Sequence, residues 1–128
     1  MIRMMIKRAE IEFLDPTSVY FHYARPGLGP DVEIYQNAEW GERMRDEALR
    51  GARCFDEVLS TRPHVAGEMF SMADITIVAA FVFAEIVKLE IPPRLGNLHA
   101  WHNRMFARPS VQGLRDMGRS AKHNPTEV

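Results

Sequence analysis

At 128 residues, 46% of them hydrophobic, the chain can bury a sizeable core yet is too short for two domains of ordinary size. Its formal net charge is -1, and its arginines alternate with acids between Glu39 and Glu57, which excludes the one-sided basic footprint that nucleic acid requires. One cysteine, Cys54, rules out an intrachain disulfide, and Met1 to Lys7 lacks the sustained apolar core and small-residue cleavage site of a secretory signal, so a cytoplasmic location is expected.

From Ile2 to about Ala24, the residues Ile2, Ile6, Ala9, Phe13, Tyr20 and Ala24 recur at helical spacing and predict one long helix kinked at Pro16. Pro16 removes a backbone donor and crowds the carbonyl of Glu12, at a cost of about 3 kcal/mol if nothing compensates, so two helices meeting there is the alternative. Beside the apolar stripe, Ile11, Asp15, Ser18 and His22 form a second, mixed face of the same helix. Arg25-Pro26-Gly27-Leu28-Gly29-Pro30 breaks the chain. Asn37 then stands where it can cap a helix whose stripe, Trp40, Met44, Ala48, Ala52, Phe55 and Leu59, is flanked by charge as in an amphipathic surface helix.

Ser71 and Asp74 have capping-box spacing: the hydroxyl can accept the Asp74 N–H while the carboxylate accepts the Ser71 N–H. Phe70 and Ile75 fall at the positions of a hydrophobic staple across that cap. The helix that follows, Met72 to about Lys88, carries no charge before Glu85 and is expected to be packed on all sides. It is well short of the roughly 20 residues a bilayer needs, so the expectation is a soluble core and no membrane. Pro92-Pro93 and Gly96 reset the chain; Asn97 is expected to cap a helix carrying Leu98, Trp101 and Met105, which Pro109 stops. A short last helix uses Val111, Leu114 and Met117, and a polar tail, 118–128, follows a single domain of residues 1–117. With no strand, repeat or low-complexity tract, the reading is all-α: about five helices around the buried one.

The chemistry is thinner than the architecture. His99 and His102 are three apart on a predicted helix, but without a nearby Cys or a third ligand they make an incomplete zinc site, and no metal is assigned. Cys54 has Arg50 and Arg53 close in sequence; a packing role at the margin of the stripe outweighs a reactive thiol, and no Cys-His pair is identifiable. The eight methionines read as gap fillers, and Tyr20 and Tyr23 serve equally as pocket walls or as buried tyrosines with satisfied hydroxyls. Ser71 and Asp74 read as folding residues, because an apolar helix follows them directly.

The segment Arg62 to Asp74, with its Arg-Pro, Val-Ala-Gly, Phe-Ser and Ala-Asp-Ile elements, resembles the start of the central helix in the C-terminal domain of glutathione S-transferases. Asn97-Leu98, Trp101, Arg104 and Arg108-Pro109-Ser110 are similar to that family's next helix and its terminator, in the right order. Tyr20-Phe21-His22, Pro26 and Trp40-Gly41 resemble bacterial members, so the likeness runs from about Ile2 to Ser110. The resemblance implies a helical bundle of the glutathione S-transferase C-terminal type. Nothing in the sequence is similar to the family's thioredoxin-like domain: there is no strand–helix alternation, cis-proline turn or Ser-acid pair. The chain is therefore expected to be half of a transferase, supplying the electrophile pocket and dimer contacts for conjugation of glutathione to hydrophobic compounds. Alone it is expected to bind no cofactor, glutathione being the co-substrate of the parent enzyme, and to be inactive until the missing domain joins it in cis or in trans.

By position, the resemblance places Asp15, Ser18, Val19 and His22 near the cleft and Tyr23 at its edge. It assigns no catalytic residue, because some bacterial relatives have His or Lys where this chain has Asp15-Pro16. It also implies a homodimer through the first helix and the charged helix from Trp40 to Leu59. Two other readings stay open: a non-catalytic protein-interaction module, and a binder of small apolar ligands in the same half-cleft.

Overall fold

A computed structural model describes residues 1–113 and 116. Their regular structure is helical, with no strand among them beyond an isolated antiparallel bridge between His64 and Gly67. Helix α1 (Ile2–Ala9) runs through one wide π turn (Glu10–Leu14) into α2 (Asp15–Ala24), and the backbone stays helical across both junctions. The single-helix reading therefore describes this hairpin arm, and the π turn is how Pro16 is tolerated. The Asp15 N–H reaches back five residues to the Glu10 carbonyl, and the Thr17 hydroxyl donates to the Phe13 carbonyl at 2.8 Å. The expected stripe shifts slightly: Met5 and Thr17 are buried, whereas Ile2 is exposed because it lies at the free end of α1.

Helix α3 (Ala38–Val58) packs back along this arm. Its N-cap is Asn37, whose Oδ1 accepts the Trp40 N–H at 3.0 Å, and it buries Ala48, Ala52 and Phe55 while Trp40 remains exposed. The approach is close because α3 presents glycine at its crossing points. A Cβ on Gly51 would stand 1.9 Å from the Glu12 carbonyl oxygen, and one on Gly41 2.6 Å from the Ala24 nitrogen. Gly51 thus sits against the carbonyl that Pro16 cannot serve as a donor.

Helix α4 (Met72–Ile86) buries Ala73, Asp74, Ile77, Val78, Ala80, Phe81 and Ala84. It ends in a Schellman turn, with Leu89 N–H donating to the Ala84 carbonyl at 2.8 Å and Lys88 N–H to that of Glu85 at 3.2 Å. Lys88 takes the left-handed conformation (φ 59°) that glycine fills more cheaply. The expectation that α4 is packed on all sides is corrected. Met72, Ile75 and Ile86 are 58%, 37% and 40% exposed, and they mark one apolar stripe that the described residues leave uncovered. The described helices cover the remainder of α4, with α1, the π turn and α2 all packing against it.

Helix α5 (Gly96–Phe106) buries Leu98, Trp101, Met105 and Phe106. Asn97 does not cap it, because the helix already begins at Gly96 and Asn97 lies in its first turn. Asp56 of α3 does the capping from outside, its Oδ1 accepting the Leu98 N–H at 2.9 Å. Pro109 does not stop α5, which ends at Phe106; it stands at the start of a further helical stretch, 109–113, in which Val111 is buried. Leu114, Met117 and the tail from Gly118 lie outside the described residues.

Candidate functional site

The residues placed near the cleft by resemblance lie on one helix. Asp15, Ser18, Val19 and His22 follow each other at spacings that put them on one face of α2, with Tyr23 beside Val19. Asp15 is exposed and the other four are half-buried. Two of them are committed to the loop that follows. His22 Nδ1 donates to Glu33 Oε2 at 2.6 Å, and the Tyr23 ring meets Tyr35 edge-on at 6.2 Å. The carboxylate of Glu33 also accepts the Leu28 N–H at 3.1 Å, and its side chain is only 11% exposed. The His22 hydrogen bond, followed by that from Leu28, holds the Glu33 carboxyl below its ordinary value of 4.5. Gln36 completes the clasp by donating to the carbonyls of His22 and Arg25 at 3.0 and 2.7 Å.

Gly27 makes this clasp possible. It has φ of +61°, and a Cβ there would lie 1.9 Å from Glu33 Oε2. The loop so pinned turns Leu28, Val32, Ile34 and Tyr35 outward, extending the α2 face with exposed apolar side chains. On the inner side Phe21 meets Phe83 of α4 edge-on at 5.3 Å, which fixes the rotation of α2 about its axis. The assembled surface therefore combines a short polar row from α2 with an apolar loop. It offers hydrogen-bonding groups and hydrophobic contact, and no arrangement of nucleophile and base.

A second cluster surrounds the start of α4. Asp74 Oδ2 accepts the Ser71 N–H at 2.9 Å and the Ser71 hydroxyl accepts the Ala73 N–H at 3.2 Å, within a capping box that also engages the Asp74 N–H. Asp74 Oδ1 reaches further, accepting the Val65 N–H at 3.1 Å and the indole N–H of Trp101 at 2.9 Å. A fully buried carboxylate is tolerated because these donors surround it. Ile75 faces outward, while the Phe70 ring meets His64 edge-on at 6.1 Å and lies 4.0 Å under the Arg108 guanidinium. Arg104 donates to the Pro63 carbonyl at 2.7 Å, so α5 and the residues after it tie down the whole 63–74 segment.

Sequence reasoning did not single out Glu33, Gln36 or Asp56. Of these, Asp56 had a signal: no capping side chain precedes Gly96, so the start of α5 had to find an acceptor elsewhere. Among the described residues no three His, Cys, Asp or Glu side chains converge on a point where a metal ion could sit. None of the described helices is long and apolar enough to cross a membrane.

With this geometry in view, the comparisons with known proteins fall into one group. The glutathione S-transferase C-terminal domain matches residues 13–109. Over 116 residues the chain is 60% identical to Glutathione S-transferase 2 of Saccharomyces cerevisiae, covering 91% of this chain and 50% of that protein. The crystal structure of Gtt2 from Saccharomyces cerevisiae superposes with a TM-score of 0.86 at 62% identity, over 88% of this chain and 54% of that one. A glutathione S-transferase domain-containing protein of Marinobacter aquaeolei superposes with a TM-score of 0.82 at 42% identity, over 85% of this chain and 53% of that one. The chain thus spans about half the length of the relatives it matches.

Proposed function

Because the chain belongs to the glutathione S-transferase family, as its C-terminal helical domain, we propose that it forms the electrophile-binding and dimer-forming half of a glutathione-conjugating enzyme. The observation that carries this reading is the high identity to a named transferase along nearly all of the chain, combined with a span of only half that protein. The missing half would be the thioredoxin-like domain, in cis or in trans, and it would hold glutathione and lower the pKa of its thiol. The thiolate would then attack a hydrophobic electrophile seated on the α2 face, among Ser18, Val19, His22 and Tyr23, with Asp15 at its outer end. This chain's part is to shape the pocket and exclude water.

Homodimerisation through the first helical arm, α1 to α2, and the charged helix α3 belongs to the same reading, supported by the charged outer face of α3. A cytoplasmic location fits the single, half-buried Cys54. Titration calorimetry with glutathione tests the proposal on this chain and on a longer protein that carries the thioredoxin-like half. Binding, and conjugation of a chloronitrobenzene, are expected only for the longer protein. If the longer protein neither binds glutathione nor conjugates, the enzyme reading fails.

A further inference from the structure

The clasp that pins the 25–37 loop to α2 holds an exposed aromatic side chain in place. Tyr35 lies between Glu33 and Gln36, and both neighbours are tied down: Glu33 accepts from His22 and from the Leu28 N–H, and Gln36 donates to the carbonyls of His22 and Arg25. Just before Tyr35, the Ile34 N–H closes a tight turn on the Val32 carbonyl at 2.9 Å. The backbone is thus fixed on both sides of Tyr35, yet this residue is 69% exposed. Its ring meets the half-buried ring of Tyr23 from α2 edge-on, with centroids 6.2 Å apart and planes at 75°. We propose that Tyr35 is a specificity-determining residue, which together with Tyr23 forms an aromatic corner that selects a flat, electron-poor aryl group on the electrophile over an alkyl one.

The inference rests on the reading of the α2 face as the electrophile pocket, to which Tyr23 belongs, and it extends that pocket to a residue of the following loop. Two rings at a steep angle present a wall and a floor, so a third ring can stack on one and meet the other edge-on at once. Both arrangements are favourable at centroid separations of about 4.5–7 Å. A chain of methylenes gains only its area burial there. With Tyr35 exposed to that extent, at least one face of its ring is open to such contact. The face of a tyrosine ring carries the negative side of the quadrupole, so it favours a ring whose own face is depleted by electron-withdrawing groups. The same depletion lets a thiolate add to an aryl carbon: the C–S bond forms, the halide leaves with its bonding pair, and no oxidant is needed. The pinned backbone contributes as well, because a corner ordered before binding loses no loop entropy when the ligand arrives.

The test uses a longer protein that carries the thioredoxin-like half and compares two probes by calorimetry, S-(2,4-dinitrophenyl)glutathione and S-methylglutathione. The dinitrophenyl derivative is expected to bind more tightly. Tyr35→Ala, an exposed change with little cost to folding, is expected to weaken it about fivefold, the size of one lost aromatic contact, while S-methylglutathione binding stays within about a factor of two. Tyr35→Phe keeps the ring and is expected to bind both probes as wild type does. A merely structural role for Tyr35 would move the two probes together. The proposal is overturned, with the enzyme reading intact, if the wild type binds both probes but does not prefer the dinitrophenyl derivative, if Tyr35→Ala leaves their ratio unchanged, or if Tyr35→Phe loses as much as Tyr35→Ala. An unfolding midpoint lowered by Tyr35→Ala with that ratio unchanged would show that the docked half covers this ring instead. If the longer protein binds neither probe, the enzyme reading fails and the corner fails with it.

Discussion

Substituting Asp74 by Ala strands several donors at once: the Ser71 and Val65 amides and the Trp101 indole, with the carboxylate that joins them fully buried. Loss of an exposed cap alone costs about 1 kcal/mol, whereas each buried donor left without an acceptor costs about 1–3 kcal/mol. Allowing for relaxation, Asp74→Ala is expected to lose on the order of 4 kcal/mol in urea unfolding, and Trp101→Phe clearly less, because it removes one donor and keeps most of the packing. A loss near 1 kcal/mol for Asp74→Ala would show that the cap is its whole contribution. Glu33 makes a pH-dependent counterpart. Its folded pKa is depressed by His22 and Leu28, so its stabilising effect is present above the unfolded carboxylate value and is lost as pH falls through the folded one. In thermal unfolding, Glu33→Gln is therefore expected to be less stable than wild type at pH 6, and the gap should close as pH drops below about 4. A gap that stays constant down to pH 3 would remove the ionised Glu33 carboxylate from the explanation.

At the scale of elements, the crossing of α3 over the π turn rests on the absence of a single methyl group. A Cβ at Gly51 would meet the Glu12 carbonyl at 1.9 Å, and backbone cannot step aside as a side-chain tip can. Gly51→Ala is expected to cost about 2–3 kcal/mol despite alanine's higher helix propensity. Gly96→Ala is the control: it lies in the first turn of α5, its Cβ would meet nothing within 4 Å, and it should be neutral or stabilising by up to about 1 kcal/mol. If both substitutions behave alike in urea denaturation, close approach is not what Gly51 provides. These elements also show which signals a sequence carries. The long arm, the charged helix, the capping box and the apolar α4 were legible because periodicity and capping are local, written within one or two helical turns. The π turn, the glycine contacts and the Asp56 cap on Leu98 were not, since each depends on a partner brought near only by tertiary packing. The same limit applied to the candidate site: the α2 row could be read from its spacing, but the commitment of His22 to Glu33 depends on how the 25–37 loop folds back.

At the scale of the whole molecule, the described residues leave an apolar surface uncovered. Met72, Ile75, Ala79, Val82 and Ile86 recur at alternating three- and four-residue spacings, so they run down one side of α4, and none of them is fully buried. Met69, 79% exposed, lies just before the helix. A stripe of this kind is where the proposed thioredoxin-like half would dock, and left open it favours association. The isolated chain is therefore expected to grow beyond a dimer as its concentration rises in sedimentation velocity. The double variant Ile75→Glu/Ile86→Lys tests the surface with little cost to the helix. The acid falls near the N-terminal end of α4 and the base near its C-terminal end, where each suits the helix dipole, so folded stability should change by about 0.5 kcal/mol or less. If the α4 stripe drives association, the double variant stops at the dimer proposed above for the α1–α2 arm and α3. If the wild-type chain sediments as a strict monomer at high concentration, neither surface acts as an interface in the isolated domain. In a longer protein that carries the proposed thioredoxin-like half, the same two substitutions should lower the unfolding midpoint, because there they would place charges against the docked half rather than against water.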